Sequence, residues 1–190
     1  MLARLLDANG VPDLNWRLPS GNYDALMRGI VGQQLSTIAA RAIWGRLLER
    51  FDGHPPTPEQ VLADDPDELR AAVGLSHAKV RYLRDLAERV VSGELELDRL
   101  DDLSDDEVLS RLTAVKGIGQ WSADLFLMFA LDRPDVLAAG DLGIRRAVQR
   151  AYDLPAIPSI AEVTARGEQW RPHRTAASLV LWQSLRTAPV

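Results

Sequence analysis

Apolar residues recur along most of this chain at spacings of three and four, and no stretch alternates apolar and polar residues in the way a half-buried strand requires. The pattern predicts an all-α protein. Residues 23–50 read as the longest helix, entered from the turn-like Pro19-Ser20-Gly21-Asn22 and ending before Phe51-Asp52-Gly53. Thr57 is a candidate N-cap ahead of Pro58 and Glu59. Pro66 opens a short helix, and Ser76 starts a longer one to about Val91, with Gly93 beyond it. Ser104-Asp105-Asp106-Glu107 fits the reciprocal capping pattern at a helix start. Further helices are predicted over about 120–131, 142–152, 159–170 and 174–187.

One pair of these helices carries more than packing information. Leu112, Val115 and Ile118 are apolar at spacing three, and Gly117 and Gly119 flank Ile118. One helix can therefore stop, turn tightly and hand over to another beginning near Gln120, a helix-hairpin-helix arrangement. The glycines permit unusual dihedrals, and their lack of side chains lets the N–H groups of Gly117, Ile118, Gly119 and Gln120 approach a phosphate at the positive end of the following helix. Such a grip reads no bases. A Gly-Ile-Gly taken alone is equally the turn of any helical hairpin. The wider context adds weight: Ala123 is small where two helices must cross, and Leu125, Phe126, Phe129 and Ala130 continue an apolar face. A lone acid, Asp141, then follows 22 positions after Gly119. By its local sequence Asp141 is also a good helix N-cap.

A chain of 190 residues suits one compact unit or two small lobes. It holds no apolar run of about 18 residues, and MLARLLDANG lacks a signal-peptide core, so a soluble cytoplasmic protein with no membrane partner is expected. The absence of cysteine excludes disulfides, cysteine nucleophiles and thiolate zinc sites. His54, His77 and His173 are scattered, which argues against a histidine metal site. The net charge of −5 speaks at first against nucleic acid. Its distribution changes that picture, because residues 94–107 contain Glu94, Glu96, Asp98, Asp101, Asp102, Asp105, Asp106 and Glu107 against Arg99, a local charge of −7, and the remainder is +2. Basic residues gather at Arg145, Arg146 and Arg150 after the lone acid, and at Arg166, Arg171, His173 and Arg174 before the last helix. A solvated face would explain either group equally well.

With VKGIGQWSADLF and the downstream VLAAGDLGIRRA, three other segments complete a resemblance: LMRGIVGQQLSTIAARAIWGRL (26–47), VGLSHAKVRYLRDLA (73–87) and WRPHRTAASLVLWQSL (170–185). In order and over most of its length, the chain resembles the helix-hairpin-helix superfamily of DNA base-excision glycosylases, and within it the 3-methyladenine DNA glycosylase II type. The resemblance implies two helical lobes, residues 20–136 carrying the hairpin and 1–19 plus 137–190 carrying the acid, with the active site in the cleft between them. It makes Asp141 the catalytic carboxylate and places Trp121, Trp182 and Leu125 around the base, where an electron-rich face favours a cationic base. Leu125 departs from relatives that carry an aromatic there. Trp16, Trp44 and Trp170 are left as packing residues.

Members that also cut the strand carry a lysine where this chain has Trp121, so the resemblance implies water as nucleophile and an uncut abasic product. The missing cysteines set aside the branch with an iron–sulfur cluster. Gln33 and Gln34 fall in the segment that faces the DNA minor groove, with Gln34 the better candidate to fill the gap left by a flipped base and a solvent-facing glutamine pair the alternative. Arg145 and Arg174 join the expected DNA contacts. No cofactor or catalytic metal is expected, although the resemblance allows a monovalent cation at the carbonyls of Lys116 and Ile118. An amino-terminal β domain found in some relatives is expected to be missing. The predicted function is a monomeric, monofunctional glycosylase that flips and hydrolytically releases alkylated purines, 3-methyladenine and 7-methylguanine, from duplex DNA. Two alternatives stay open at this point: a non-enzymatic helix-hairpin-helix DNA-binding module, and a glycosylase for oxidised or deaminated bases.

Overall fold

The computed structural model describes residues 1–12 and 21–186, so the predicted turn at Pro19-Ser20 and the packing assigned to Trp16 lie outside the described residues. Among those described there is no strand: the helices are α1 (Leu2–Asn9), α2 (Asn22–Gly32), α3 (Thr37–Arg50), α4 (Pro58–Ala63), α5 (Pro66–Val73), α6 (His77–Val91), α7 (Asp105–Thr113), α8 (Gln120–Phe129), α9 (Leu142–Ala151), α10 (Ile160–Gly167) and α11 (Arg174–Arg186). Short 3-10 turns occupy Leu97–Asp102 and Glu168–Trp170. No helix among the described residues is long and apolar enough to cross a membrane.

Local capping chemistry sets most of these boundaries. The hydroxyl of Thr57 accepts from the Gln60 N–H while Gln60 reaches back to the Thr57 N–H, and Ser104 with Glu107 and Ser159 with Glu162 repeat the exchange. Asp65 accepts from two N–H groups ahead of Pro66, and Ser76 caps α6 through the Lys79 N–H. The long helix predicted over 23–50 is in fact two. α2 stops at Gly32, the chain turns through Gln34 at φ 57°, and Ser36 caps α3 by accepting from the Ala39 N–H. Helical apolar spacing runs straight through this turn, which hid it from the pattern.

The chain divides into two compact units, Leu18–Phe126 and Met1–Arg17 with Leu127–Val190. In the first, α2 packs on α3 and α6, and α4 on α6, around fully buried Met27, Ile30, Leu47, Leu69, Leu83, Leu86 and Leu112. Trp44 is buried here, with the Arg28 guanidinium 4.2 Å above its ring. In the second, α9 and α1 pack on α11 around Ile144, Val148, Val163, Trp170 and Leu181.

Candidate functional site

The hairpin between α7 and α8 is a tight turn whose N–H groups of Val115 and Ile118 donate to the carbonyls of Leu112 and Val115. Gly117 is required twice over. Its φ is +85°, and a Cβ there would lie 2.2 Å from the ring of Tyr82 on α6. Gly119 has neither constraint; a Cβ on it would meet nothing within 4 Å, so its bareness leaves the start of α8 uncovered.

The turn is braced from behind. Buried Asp85 accepts from the Lys116 N–H at 3.0 Å and pairs with the Lys116 ammonium at 2.8 Å and with Arg89 at 3.0 Å. Desolvation alone would raise its pKa, but hydrogen bonds from Lys116 and Arg89 outweigh it and hold the carboxyl below its ordinary range. The side-chain amide of Gln33 donates to the Gly117 carbonyl at 2.8 Å and to the Ser122 hydroxyl at 3.3 Å. Gln33 is thus directed at the hairpin, whereas its neighbour Gln34 is exposed. The Gly119 carbonyl takes the Ala123 N–H, while those of Lys116 and Ile118 take no backbone hydrogen bond among the described residues.

On α8, Trp121 is 41% exposed, which sets it apart from buried Trp44 and Trp170, and half-buried Leu125 follows one turn later on the same face. Gln120 donates to Asp124 at 2.8 Å. Asp124 is buried, and desolvation, only partly offset by Gln120, pushes its pKa up to about 6.

In the other unit Asp141 caps α9. One carboxylate oxygen, Oδ1, accepts from the Ile144 N–H at 2.8 Å and from the indole Nε1 of Trp182, on α11, also at 2.8 Å. The Trp182 ring stacks on Phe129, with centroids 6.1 Å apart and an interplanar angle of 25°. Gly143 makes this possible. A Cβ there would sit 2.8 Å from Asp141 Oδ1 and 3.2 Å from two atoms of the indole. The approach to Asp141 is pinned to the start of α11. The Thr175 hydroxyl donates to the Arg133 carbonyl and accepts from the Val136 N–H. The Arg174 guanidinium holds the Asp135 carboxylate at 2.7 Å and 3.1 Å and the Asp135 carbonyl at 2.6 Å.

Several basic residues expected at DNA are therefore engaged within their own unit. Arg174 has its guanidinium on Asp135, Arg171 pairs with Asp135 and Glu168, and Arg145 donates to the Pro158 carbonyl at 2.8 Å. Burial pushes Asp135 upward, but hydrogen bonds and charge from Arg174, with help from Arg171, hold its pKa down. Arg146 and Arg150 are exposed. The structure brings Asp141 and Trp182 into contact and binds Gln33 to the hairpin. Trp121 and Leu125 share a face of the other unit. Sequence reasoning missed Gly143, Phe129 and Thr175. Gly143, two positions after the acid, was the one legible signal.

Residues 27–173 match the family described as HhH-GPD superfamily base excision DNA repair protein. DNA-3-methyladenine glycosylase 1 of Schizosaccharomyces pombe is 38% identical over 168 residues, a match covering 87% of this chain and 73% of that protein. The putative DNA-3-methyladenine glycosylase YfjP of Bacillus subtilis is 30% identical over 86% of this chain, which spans 58% of the relative's length. The solved structure of S. pombe 3-methyladenine DNA glycosylase (Mag1) in complex with abasic DNA superposes with a TM-score of 0.87 at 35% identity, covering 98% of this chain and 91% of that one.

Proposed function

Because the chain belongs to the HhH-GPD superfamily of base excision DNA repair proteins, we propose that it is a monofunctional DNA glycosylase that releases alkylated purines, 3-methyladenine and 7-methylguanine, from duplex DNA by hydrolysis. The observation that carries this reading is the Asp141 carboxylate, fixed by the Ile144 N–H and the Trp182 indole. Cleaving the N-glycosidic bond sends its electron pair to the base and leaves positive charge on the sugar. Water then adds to the anomeric carbon and gives up a proton. A carboxylate held in place stabilises that charge and orients the water. At about 4 Å and an effective dielectric near 20 the attraction is roughly 4 kcal/mol. Realised only in the transition state, it is worth about a thousandfold in rate. A cationic alkylated purine leaves readily, so no strong general acid is required.

In this reading the start of α8, with Gly119 and Gln120, grips a phosphate, while Gly117 and Ile118, whose N–H is taken by the Val115 carbonyl, shape the turn; Trp121, Leu125 and Trp182 line the base pocket. Exposed Gln34 fills the gap of the flipped base, with Arg145 at the DNA side. Arg174 serves by holding Asp135. The unit Leu18–Phe126 is the gripping lobe, rather than 20–136 as the resemblance implied, and Met1–Arg17 with Leu127–Val190 is the lobe that carries the acid. A cation at the Lys116 and Ile118 carbonyls would strengthen the phosphate grip. The protein acts as a cytoplasmic monomer.

The test is a panel of duplexes carrying 3-methyladenine, 7-methylguanine, hypoxanthine or 8-oxoguanine, scored for released base and strand integrity. The expected products are free alkylated base and an uncut abasic strand, with no adduct trapped by borohydride. A trapped adduct would overturn hydrolysis and point to Lys116 or Lys79, release confined to the last two substrates would move the specificity, and silence on every duplex would leave a DNA-binding module.

A further inference from the structure

The exposed turn at Gln33–Ser36 holds a non-glycine residue, Gln34, at φ 57°. Left-handed backbone is unfavourable for glutamine and persists where its surroundings over-determine it. Two long-range contacts converge there. From the first turn of α6, the Lys79 ammonium donates to the carbonyls of Val31 and Gln33 at 2.7 Å and 2.9 Å, closing the end of α2. From the turn itself, the Gln33 amide crosses to the Gly117 carbonyl and the Ser122 hydroxyl. The turn is therefore clamped between α6 and the hairpin. Helix α6 also supplies Tyr82 behind Gly117 and Asp85 under the Lys116 N–H, so one helix sets both loops.

We propose that Gln33 is a positioning residue that holds Gln34 in its left-handed conformation and joins it rigidly to the hairpin, so that a grip on phosphate places the gap-filling side chain in register with the base to be flipped. This rests on the glycosylase reading above. It assigns the two neighbouring glutamines different duties: Gln34 meets DNA, and Gln33 acts through it. The functional consequence is that loosening Gln33 should slow the step after binding and leave the grip on ordinary duplex intact.

The experiment measures single-turnover release of alkylated base at saturating enzyme together with affinity for an undamaged duplex. Gln33→Glu keeps the shape but replaces the amide donor, and Gln33→Ala removes it without adding charge, so either folded variant serves. The expected result is a loss of about tenfold in the single-turnover rate, with undamaged-duplex affinity changed less than about threefold. In a Gln34→Asn background the same replacement should cost less than about threefold, because asparagine tolerates the left-handed region. Equal losses in both backgrounds, or parallel loss of rate and undamaged-duplex affinity, would reduce Gln33 to a brace of the fold and overturn the proposal. A wild-type protein that releases no alkylated base would overturn the glycosylase reading and this inference with it. An active wild type with indifferent Gln33 variants would overturn this inference alone.

Discussion

Two helix starts in this protein, those of α8 and α9, use one physical feature in opposite ways. Every α-helix begins with N–H groups that have no partner inside the helix. Ahead of α8 stands Gly119, which has no side chain to fold back over them, and ahead of α9 stands Asp141, whose Oδ1 takes the Ile144 N–H. A bare start is available to any phosphate, whatever the base sequence. A capped start instead holds a carboxylate still. Their supports differ accordingly. The bare turn is braced by Asp85 on α6 and by Gln33 in the turn after α2, whereas the capped one is held by its own first turn and by a distant donor, Trp182.

The largest effect expected from breaking this contrast is at the capped start. Asp141→Asn keeps a carbonyl oxygen able to accept from Ile144 and Trp182 and removes only the charge. Folding and duplex binding should survive, and single-turnover excision should fall by about a hundredfold or more, equivalent to about 2.7 kcal/mol of transition-state stabilisation. Excision near the wild-type rate would mean that Asp141 is a cap and nothing else.

Alanine at the two crowded glycines separates the starts at the next level. Gly143→Ala pushes on Asp141 Oδ1 and the Trp182 indole, so excision should drop by about tenfold while affinity for duplex holds. Gly117→Ala forces a Cβ into the Tyr82 ring at positive φ, and should lower stability by about 1–3 kcal/mol and weaken binding to all duplexes alike. Thermal unfolding and a binding titration on two unrelated sequences check both. If Gly143→Ala lost affinity and Gly117→Ala lost only rate, the division of labour between grip and chemistry would be reversed.

How far these sites could be read in the sequence follows from how far apart their parts lie. Thr57, Ser76 and Ser104 were legible as caps because a cap and its N–H are at most three residues apart. The hairpin was legible for the same reason. The break in the expected 23–50 helix was not, because apolar periodicity continues through it and the left-handed Gln34 depends on Lys79 and Gly117. Asp141 reads locally as a helix cap and is singled out as the carboxylate by the family resemblance, and its indole donor is 41 residues away. Arg174 looked like a DNA contact because a run of basic residues says nothing of Asp135, 39 residues upstream, which takes its guanidinium.

The smallest effect on activity is expected at the other carboxyl near the hairpin, and it concerns pH. Buried Asp124 accepts from Gln120, and burial lifts its pKa from 3.8 to about 6. The folded state therefore holds a proton between those values that the unfolded chain has released, so this group's contribution to stability falls as pH rises through the window. Its full deficit is present at neutral pH, and a separation of that size corresponds to roughly 3 kcal/mol. Asp124→Asn removes the titration while keeping an acceptor for Gln120. Against wild type, the variant should gain stability progressively from about pH 4 to pH 7 and then by a constant amount, with excision changed less than about threefold. Denaturant unfolding at pH 4.5, 6 and 7.5 measures it. A gain that ignores pH would show that Asp124 is not held protonated by burial, and a hundredfold loss of excision would make it, rather than Asp141, the carboxylate on which the chemistry depends.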